Sequence, residues 1–577
     1  MKKIVTMHKK SIIALIIIFL ILIAACLKVG CDLRNILYFS CYQEHNSSYL
    51  SDFYADKNVL FMVPHEDDDY NLGGGIIEQY HNAGSDVHIM YMTNGDGYGG
   101  GERRIMESAL AMSRIGLTAD QLIFLGYGDD WDKEEYDHIY YAPEDKVLKS
   151  LNGLENTYAG SGFVDFHTAE YGQSALYTRG NIKSDIKAVI NKISPDIIYC
   201  IECDEHPDHK SLSLLFEECM GEMLAQNSEY RPIVYKGFGY CTGWDGKRDF
   251  YADNVLAVAY ETDDGTMKLR PQYMWEDRLR FPVAASTLAL TEHASSSYVV
   301  LDAFSSQDAL HNFECLVNSD KVFWERRTDS VLYNATIECN GKETTLLNDF
   351  KLSDSENIRK VPQKTKWNQG VCHIAKGDKL NVTLDEPRLI DEIVLYDSPY
   401  ADDDIIAGVL EFDDGSQIEV SDIRKNGSPS VVKFDNKEIS GFTFTVTDST
   451  GDESGLIELE AFGELNKERQ DAFVKLMVDD NFAYDYRMSK GDEVKLDVYT
   501  YPEGLECEIY IDGKLYADAN TLSVSEVNYV YDGKQHTIMA KAVDNEKLYD
   551  EAKLYKIDFI DRFKIKLARY IDQKKKG

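Results

Sequence analysis

Two short stretches hold the side chains best suited to chemistry. VPHEDDDYNLGG, residues 63–74, sets His65 directly before four acids, Glu66, Asp67, Asp68 and Asp69. CDEHPDHKSL, residues 203–212, sets His206 and His209 three apart, with Asp208 beside the latter. Zinc accepts imidazole nitrogen and carboxylate oxygen, and a His and an Asp three apart at a tight turn can face one cation. His65 and Asp68 form such a half-site, and one of His206 and His209 would complete a set of three ligands. Three protein ligands leave a position for water of lowered pKa. Asp67, between the two ligands in sequence, would take that water's proton during attack on a carbonyl, and the remaining histidine would steady the oxyanion. The plainer reading of the first stretch is a solvated acidic helix start, favoured by the helix dipole. The plainer reading of the second is a loop with surface histidines. Two such clusters at the tips of two strands in one sheet favour the metal.

The elements that must position them read as alternating strands and helices. NVLFMV (58–63), DVHIMYMT (86–93), QLIFLGY (121–127), DIIYCIE (196–202) and PIVYKGFGY (232–240) are short apolar runs of the kind found in buried parallel strands. Between them, residues 71–84, 101–117, 181–193 and 209–226 show helical apolar spacing. Repeated strand–helix order predicts a mostly parallel, doubly wound α/β sheet, whose sites lie beyond the carboxyl ends of the strands. Near residue 330 the pattern changes to short alternating segments split by Gly and Asp turns, as in an antiparallel β-sandwich. A third β-rich stretch runs over 466–556. The closing segment puts Ile560, Phe563, Leu567, Tyr570 and Ile571 on one helical face before a basic tail. A docked helix with a solvated lysine end is the expectation there, with attachment to an anionic surface as the alternative.

The 577 residues exceed one core, so about three or four domains are expected. The divisions read from the pattern are 1–50 (signal or anchor and linker), 51–328, 329–464 and 465–577. A formal net charge of −38 argues against a nucleic-acid partner, which needs clustered Lys and Arg. MKKIVTMHKK is basic and is followed by an uncharged apolar run, Ser11–Leu27, long enough for a signal core or a short span. Basic residues ahead of it predict a cytoplasmic N-terminus and an exported remainder, held at the cell membrane by an N-terminal helix or by lipid at Cys26. The 11 cysteines form no repeated C-x-x-C pattern, so a zinc knuckle is not expected; buried thiols or one disulfide are.

HEDDD followed by NLGGG, TNGDG, RIMESALAMSRIGL, IFLGYGD and HPDHKSL resembles the PIG-L/LmbE-like family of zinc-dependent N-deacetylases over about residues 57–300. The resemblance implies a Rossmann-like catalytic domain that removes acetyl from N-acetylglucosamine units on glycolipids, small glycosides or surface glycans. It implies Zn2+, or another divalent ion, on His65, Asp68 and His209, with Asp67 as general base. His206 would steady the tetrahedral intermediate, Asp208 would orient a histidine, and Arg104 and Asp129 would hold sugar. An ordinary pair with Glu107 or Asp120 competes for Arg104. The family usually has Pro at Glu66 and Glu at Asp69, which bears on loop rigidity. Some members carry a Tyr where this chain reads Cys203-Asp204-Glu205. The three acids around His206 are expected to raise its pKa towards a cationic role. Residues 331–463 resemble a discoidin-type, galactose-binding-like sandwich through Trp367, LIDEIVLYDSP and GLIELEAFG, and the third β region resembles an Ig-like domain by pattern. The expected function is a membrane-anchored N-deacetylase acting on a surface glycan or glycolipid. A glycan-binding envelope protein without activity is the competing class.

Overall fold

The computed structural model describes residues 2–38, 52–97, 99–129, 138–204, 206–227, 229–239, 244–246, 259–261, 272–288, 292–312, 320–352, 370–399, 403–451, 453–463, 472–524 and 527–576. Trp367 and Glu205 lie outside them. Helix α1 (Lys2–Tyr38) contains a 21-residue run, Ser11–Cys31, of mean hydropathy 3.2 whose side chains are exposed. By length and composition it is able to cross a membrane.

The first strand, β1 (Asn58–Val63), is sealed on both faces. Val59, Phe61 and Val63 enter one core, and Leu60 and Met62 enter the other. Helices must therefore cover both sides of the sheet, which is why the strand shows no polar alternation. Beside it lie β2 (Asp86–Thr93), β3 (Leu122–Tyr127), β4 (Ile197–Ile201) and β5 (Ile233–Gly237), all parallel in the order β3-β2-β1-β4-β5. The order reverses between β1 and β4, so a crevice opens at their carboxyl ends. Both candidate stretches leave the sheet there. This is the expected doubly wound α/β sheet.

Two further strands extend it beyond β5. These are β6 (Leu279–Phe281) and β7 (Lys321–Arg326), with β7 antiparallel to both β5 and β6. A three-residue strand has no readable period, and the charged ends of KVFWER disguise the other.

The antiparallel β-sandwich follows. Its two longest strands, Lys379–Asp397 and Ser430–Ser449, pair along most of their length. The register breaks between Thr383 and Arg388 and between Ile390 and Glu392. Side chains on either side of the breaks, Leu380 and Val382, then Ile393 and Leu395, enter one core. In the third β region a four-stranded and a five-stranded sheet close over a shared core that includes Leu476 and Ile538. The sheets are tied to one another by buried polar side chains. Arg326 Nη2 meets Glu460 Oε1 of the sandwich at 3.4 Å, and the Tyr235 and Tyr501 hydroxyls lie 2.8 Å apart.

Among the described residues the cysteines are free thiols, and Cys200 and Cys203 are buried. The closing helix (Phe559–Lys576) does not dock as its periodicity suggests. Ile560, Phe563 and Tyr570 face solvent, and among the helix's described side chains the buried one is Ile565, from the opposite side.

Candidate metal centre

Pro64 ends β1, and the chain turns at once into α2 (Asp68–Leu72) and α3 (Gly74–Asn82). The turn leaves no solvated acidic helix start, because His65, Glu66, Asp67, Asp68 and Asp69 are all buried. Buried carboxylates require partners. Asp68 Oδ2 lies 2.9 Å from His65 Nδ1 and 3.1 Å from His209 Nε2. Burial would raise its pKa, but His209 and His65 hold it well below the carboxylate range. Asp69 serves the fold: its Oδ2 accepts from Tyr91 of β2 and from Ser108 of α4 (Gly101–Ser113) at 2.6 and 2.9 Å. Burial pushes that carboxyl up to about 7 against those bonds. Glu66, in the Pro position, has its loop held from outside, since its carbonyl accepts from Gln307 Nε2 at 2.7 Å.

The second stretch leaves β4 and enters α6 (Pro207–Gln226), which packs beside α5 (Arg179–Ile193). Asp204 Oδ2 bonds His209 Nδ1 at 2.7 Å, so the other ring nitrogen points at Asp68. Fixing one imidazole nitrogen to aim the other is the usual arrangement around a metal ligand. Asp204 is an orienting residue that the motif spacing does not single out; its place five residues before His209 in an acidic loop is the signal the sequence offers. Asp208 Oδ2 lies 3.1 Å from His65 Nε2 and 3.7 Å from His206 Nδ1, so it serves His65 more closely than its sequence neighbour. Burial would lower the pKa of both outer histidines. Asp208 and Asp68 instead raise His65, and Asp204 and Asp68 raise His209 to about 9.

His206 corrects the expectation of a cation. Burial, then the charges of His65 and His209, push its pKa well below the usual value despite the nearby acids. It also caps α6: its Nδ1 accepts the Asp208 backbone N–H at 3.2 Å, which leaves Nε2 as the protonated nitrogen of a neutral ring.

Arg104, on α4, takes neither Glu107 nor Asp120. Its Nη2 donates to Asp67 Oδ1 at 3.0 Å, its Nη1 to the Gly95 carbonyl at 3.3 Å, and its Nε lies 3.7 Å from Glu66. Glu107 pairs with Arg103 instead. Gly95, at φ +59°, is where the TNGDG loop passes so close to the guanidinium that a Cβ would collide with it. Asp67 is raised by burial and by Asp68, with Arg104 working against both. Asp129 stands nearer the histidines than a distant sugar contact would. Its Oδ2 accepts from Gly97 N at 2.9 Å, while the buried Oδ1 makes no hydrogen bond among the described residues and lies 4.0 Å from His65 Nε2.

The donor set fits a divalent cation. Five buried aspartates, Asp67, Asp68, Asp129, Asp204 and Asp208, surround three imidazoles and one guanidinium, an excess of negative charge that a cation offsets. Zinc bonds of about 2.0–2.1 Å in a tetrahedron put ligand atoms about 3.3 Å apart. The separations from Asp68 to His65 and His209 come close to that edge length. His65, His206 and His209 also offer nitrogens within 4.8 Å of one another, as do donor atoms of His65, Asp129 and Asp208. Gly239, just past β5, lets backbone approach the group: a Cβ there would sit 3.0 Å from His209 Cε1.

Beneath the crevice lies a second charged cluster. Lys236 of β5 is fully buried, with Nζ 3.2 Å from Glu202, 3.5 Å from Glu217 and 2.7 Å from Ser213 Oγ. Glu202, the residue after β4, also accepts from Tyr273 at 2.7 Å.

Residues 60–220 match the profile of PIG-L, GlcNAc-PI de-N-acetylase. This chain carries a PIG-L domain. The match spans both candidate loops, and it supports a deacetylase domain over those residues. Residues 362–462 match a domain of unknown function, DUF7402. Similar solved structures include a deacetylase of the teicoplanin biosynthesis pathway in complex with teicoplanin, at 13% identity over 47% of this chain and 98% of that one, TM-score 0.27. A conserved protein from Thermus thermophilus is similar at 15% identity, over 47% and 94%, TM-score 0.24. The family 32 carbohydrate-binding module of Clostridium perfringens NanJ, in complex with galactose, is similar at 20% identity, over 17% and 72%, TM-score 0.14. A comparison with curated proteins found no match.

Proposed function

We propose that the chain is a zinc-dependent N-deacetylase that hydrolyses the acetamide of N-acetylglucosamine-type sugars on a surface polysaccharide or glycolipid. In this reading its catalytic unit is residues 51–328, followed by modules over 329–464 and 465–577, and α1 holds it at the membrane with the catalytic side outside. The observation that carries the reading is the approach of His65 and His209, from two loops far apart in sequence, to the same Asp68 Oδ2 at 2.9 and 3.1 Å. Those three would hold the ion, with His65 braced by Asp208 and His209 by Asp204. When bound, the zinc supplies a Lewis acid and a water of lowered pKa.

The chain's own groups do the rest. Asp67 takes a proton from the water that adds to the acetamide carbon. His206, neutral and protonated at Nε2, donates a hydrogen bond to the developing oxyanion. The C–N bond then breaks, and Asp67 passes its proton to the leaving nitrogen, giving a free amine and acetic acid, which ionises to acetate by releasing the water's second proton. Arg104 keeps Asp67 turned towards the reacting centre through the 3.0 Å contact, so it is a positioning residue before it is a sugar contact. Asp129 presents its unbonded Oδ1 to the same space and is suited to a substrate hydroxyl.

The test is acetate release from chitooligosaccharides and cell-wall glycans, with and without chelator, alongside metal analysis. Chelation should stop release, and added zinc should restore it. His65→Ala/Asp68→Ala should lose stoichiometric metal; a double variant that keeps it overturns the ligand assignment.

A further inference from the structure

We propose that the C-terminal helix α7 (Phe559–Lys576) lies along an anionic lipid bilayer, beside the point where α1 enters it. The inference rests on reading α1 as a membrane segment. At 100° per residue, Phe559, Ile560, Phe563 and Tyr570 fall within one stripe about 100° wide. These side chains are 83%, 59%, 52% and 58% exposed. The helix is held to the protein from the other side. Ile565 is buried in the core that contains Phe53 and Phe473, and Arg562 donates to Ser489 Oγ at 3.0 Å. The helix is therefore docked by its narrow face and presents its broad apolar face outward.

Charge and position identify the occupant. Helix α7 carries seven basic and two acidic side chains, a net of +5 in a chain of −38. Lys564 and Lys566 fall on opposite flanks of the apolar stripe, the layout of a helix lying in a headgroup layer. An acidic body would otherwise be repelled by anionic lipid, and a local basic surface reverses that sign. Helix α1 lies against α7, so the apolar run Ser11–Cys31 and the apolar stripe belong to one end of the molecule. A glycan has no use for a row of Phe and Ile. A protein groove would accept the apolar stripe but leaves both the basic flanks and the adjacency of α1 without a purpose. Two attachments, one spanning and one interfacial, fix the bearing of the sheet over the membrane, where a single helical tether leaves it free to rotate.

The experiment uses the full chain carrying Phe563→Trp, mixed with vesicles of phosphatidylcholine alone or with phosphatidylglycerol, whose acyl chains are brominated. Emission is read as the difference from the parent chain. The added indole should shift to the blue and lose at least half its intensity in the phosphatidylglycerol vesicles, with less quenching in phosphatidylcholine or at high salt. Flotation separates the two ideas. If the chain floats with vesicles and the added emission is unquenched, the α7 proposal fails while the anchor reading stands. If the chain floats with neither lipid, both fail. Binding to soluble polyphosphate with no lipid quenching also overturns the proposal, in favour of an anionic polymer. Phe559→Ser/Ile560→Ser/Phe563→Ser should still release acetate from soluble oligosaccharide and still float through α1. A variant that does both yet keeps the parent's orientation on vesicles, read by protease accessibility, refutes the second attachment.

Discussion

Replacing Lys236 by Met probes how the crevice is supported. The Lys236 Nζ is fully buried between Glu202 and Glu217 at 3.2 and 3.5 Å, and neither carboxylate is exposed. Burial by itself would lower the lysine's pKa, but Cys200, Glu202 and Glu217 raise it overall, so it is charged in the fold. Met fills much the same volume and removes the charge. Two buried carboxylates are then left facing one another, a defect that costs about 3–5 kcal/mol when one partner of a buried pair is removed. For a domain of this size that is roughly 6–20 °C in Tm. The loss should depend on pH. Burial already raises the Glu217 pKa, with Glu202 adding to it and Lys236 opposing. A carboxyl raised in the folded state favours folding only while it is protonated. The Lys236→Met penalty is therefore smallest below the ordinary glutamate range and grows as pH rises through the folded value. Calorimetry of parent and variant at pH 5 and pH 8 measures both effects. Adding Glu202→Gln and Glu217→Gln to Lys236→Met should recover much of the stability, because no charge is then stranded. A single variant within about 1 kcal/mol of the parent at pH 8, below the range for a broken buried pair, refutes the reasoning, as does a triple variant no better than the single.

Asp67→Asn should cut acetate release by about 10²–10⁴-fold, the usual worth of a general base, while metal content stays at the parent value. Arg104→Ala should lower kcat by about tenfold or more with a smaller change in KM, since its contact is with Asp67; steady-state kinetics showing only a KM effect would return Arg104 to a pure sugar contact. Asp397 in the sandwich is pushed up to about 8, chiefly by burial. Its folded pKa exceeds its unfolded one, so the stability it contributes is complete below about pH 4 and is lost as pH rises through about 8. Asp397→Asn should flatten that decline in urea unfolding followed by sandwich-region probes, and an unchanged slope would count against the assignment.

Much of this architecture is visible in the sequence because the responsible signals are local. The apolar run 58–63 has turn residues around it, and its strand has those bounds. His65 and Asp68 are three apart at a turn, and a turn alone can bring them together. What stayed hidden depends on atoms distant along the chain. The partner of Arg104 is 37 residues away, and helical spacing offers only Glu107. The acids near His206 are plain in the sequence, but its burial and its crowding by His65 and His209 are not, and these reverse the sign of its shift. Periodicity identifies which residues of α7 share a face. It cannot say whether that face is turned inward, and here the buried residue is Ile565 on the far side. Strands β6 and β7 are not legible in the sequence because a distant segment sets their pairing: Lys236 of β5 stands opposite Trp324 of β7, and among the described residues β6 joins the sheet through β7.

Arg326 and Tyr235 have an evolutionary corollary. Arg326 is buried against Glu460 and the Phe350 carbonyl, and Tyr235 meets Tyr501 from another sheet. The β modules are thus not interchangeable beads on a string. A transplanted module lacking an acid at position 460 would strand a guanidinium, so recombination among such proteins should exchange catalytic and accessory parts as matched sets, or leave the seam intact.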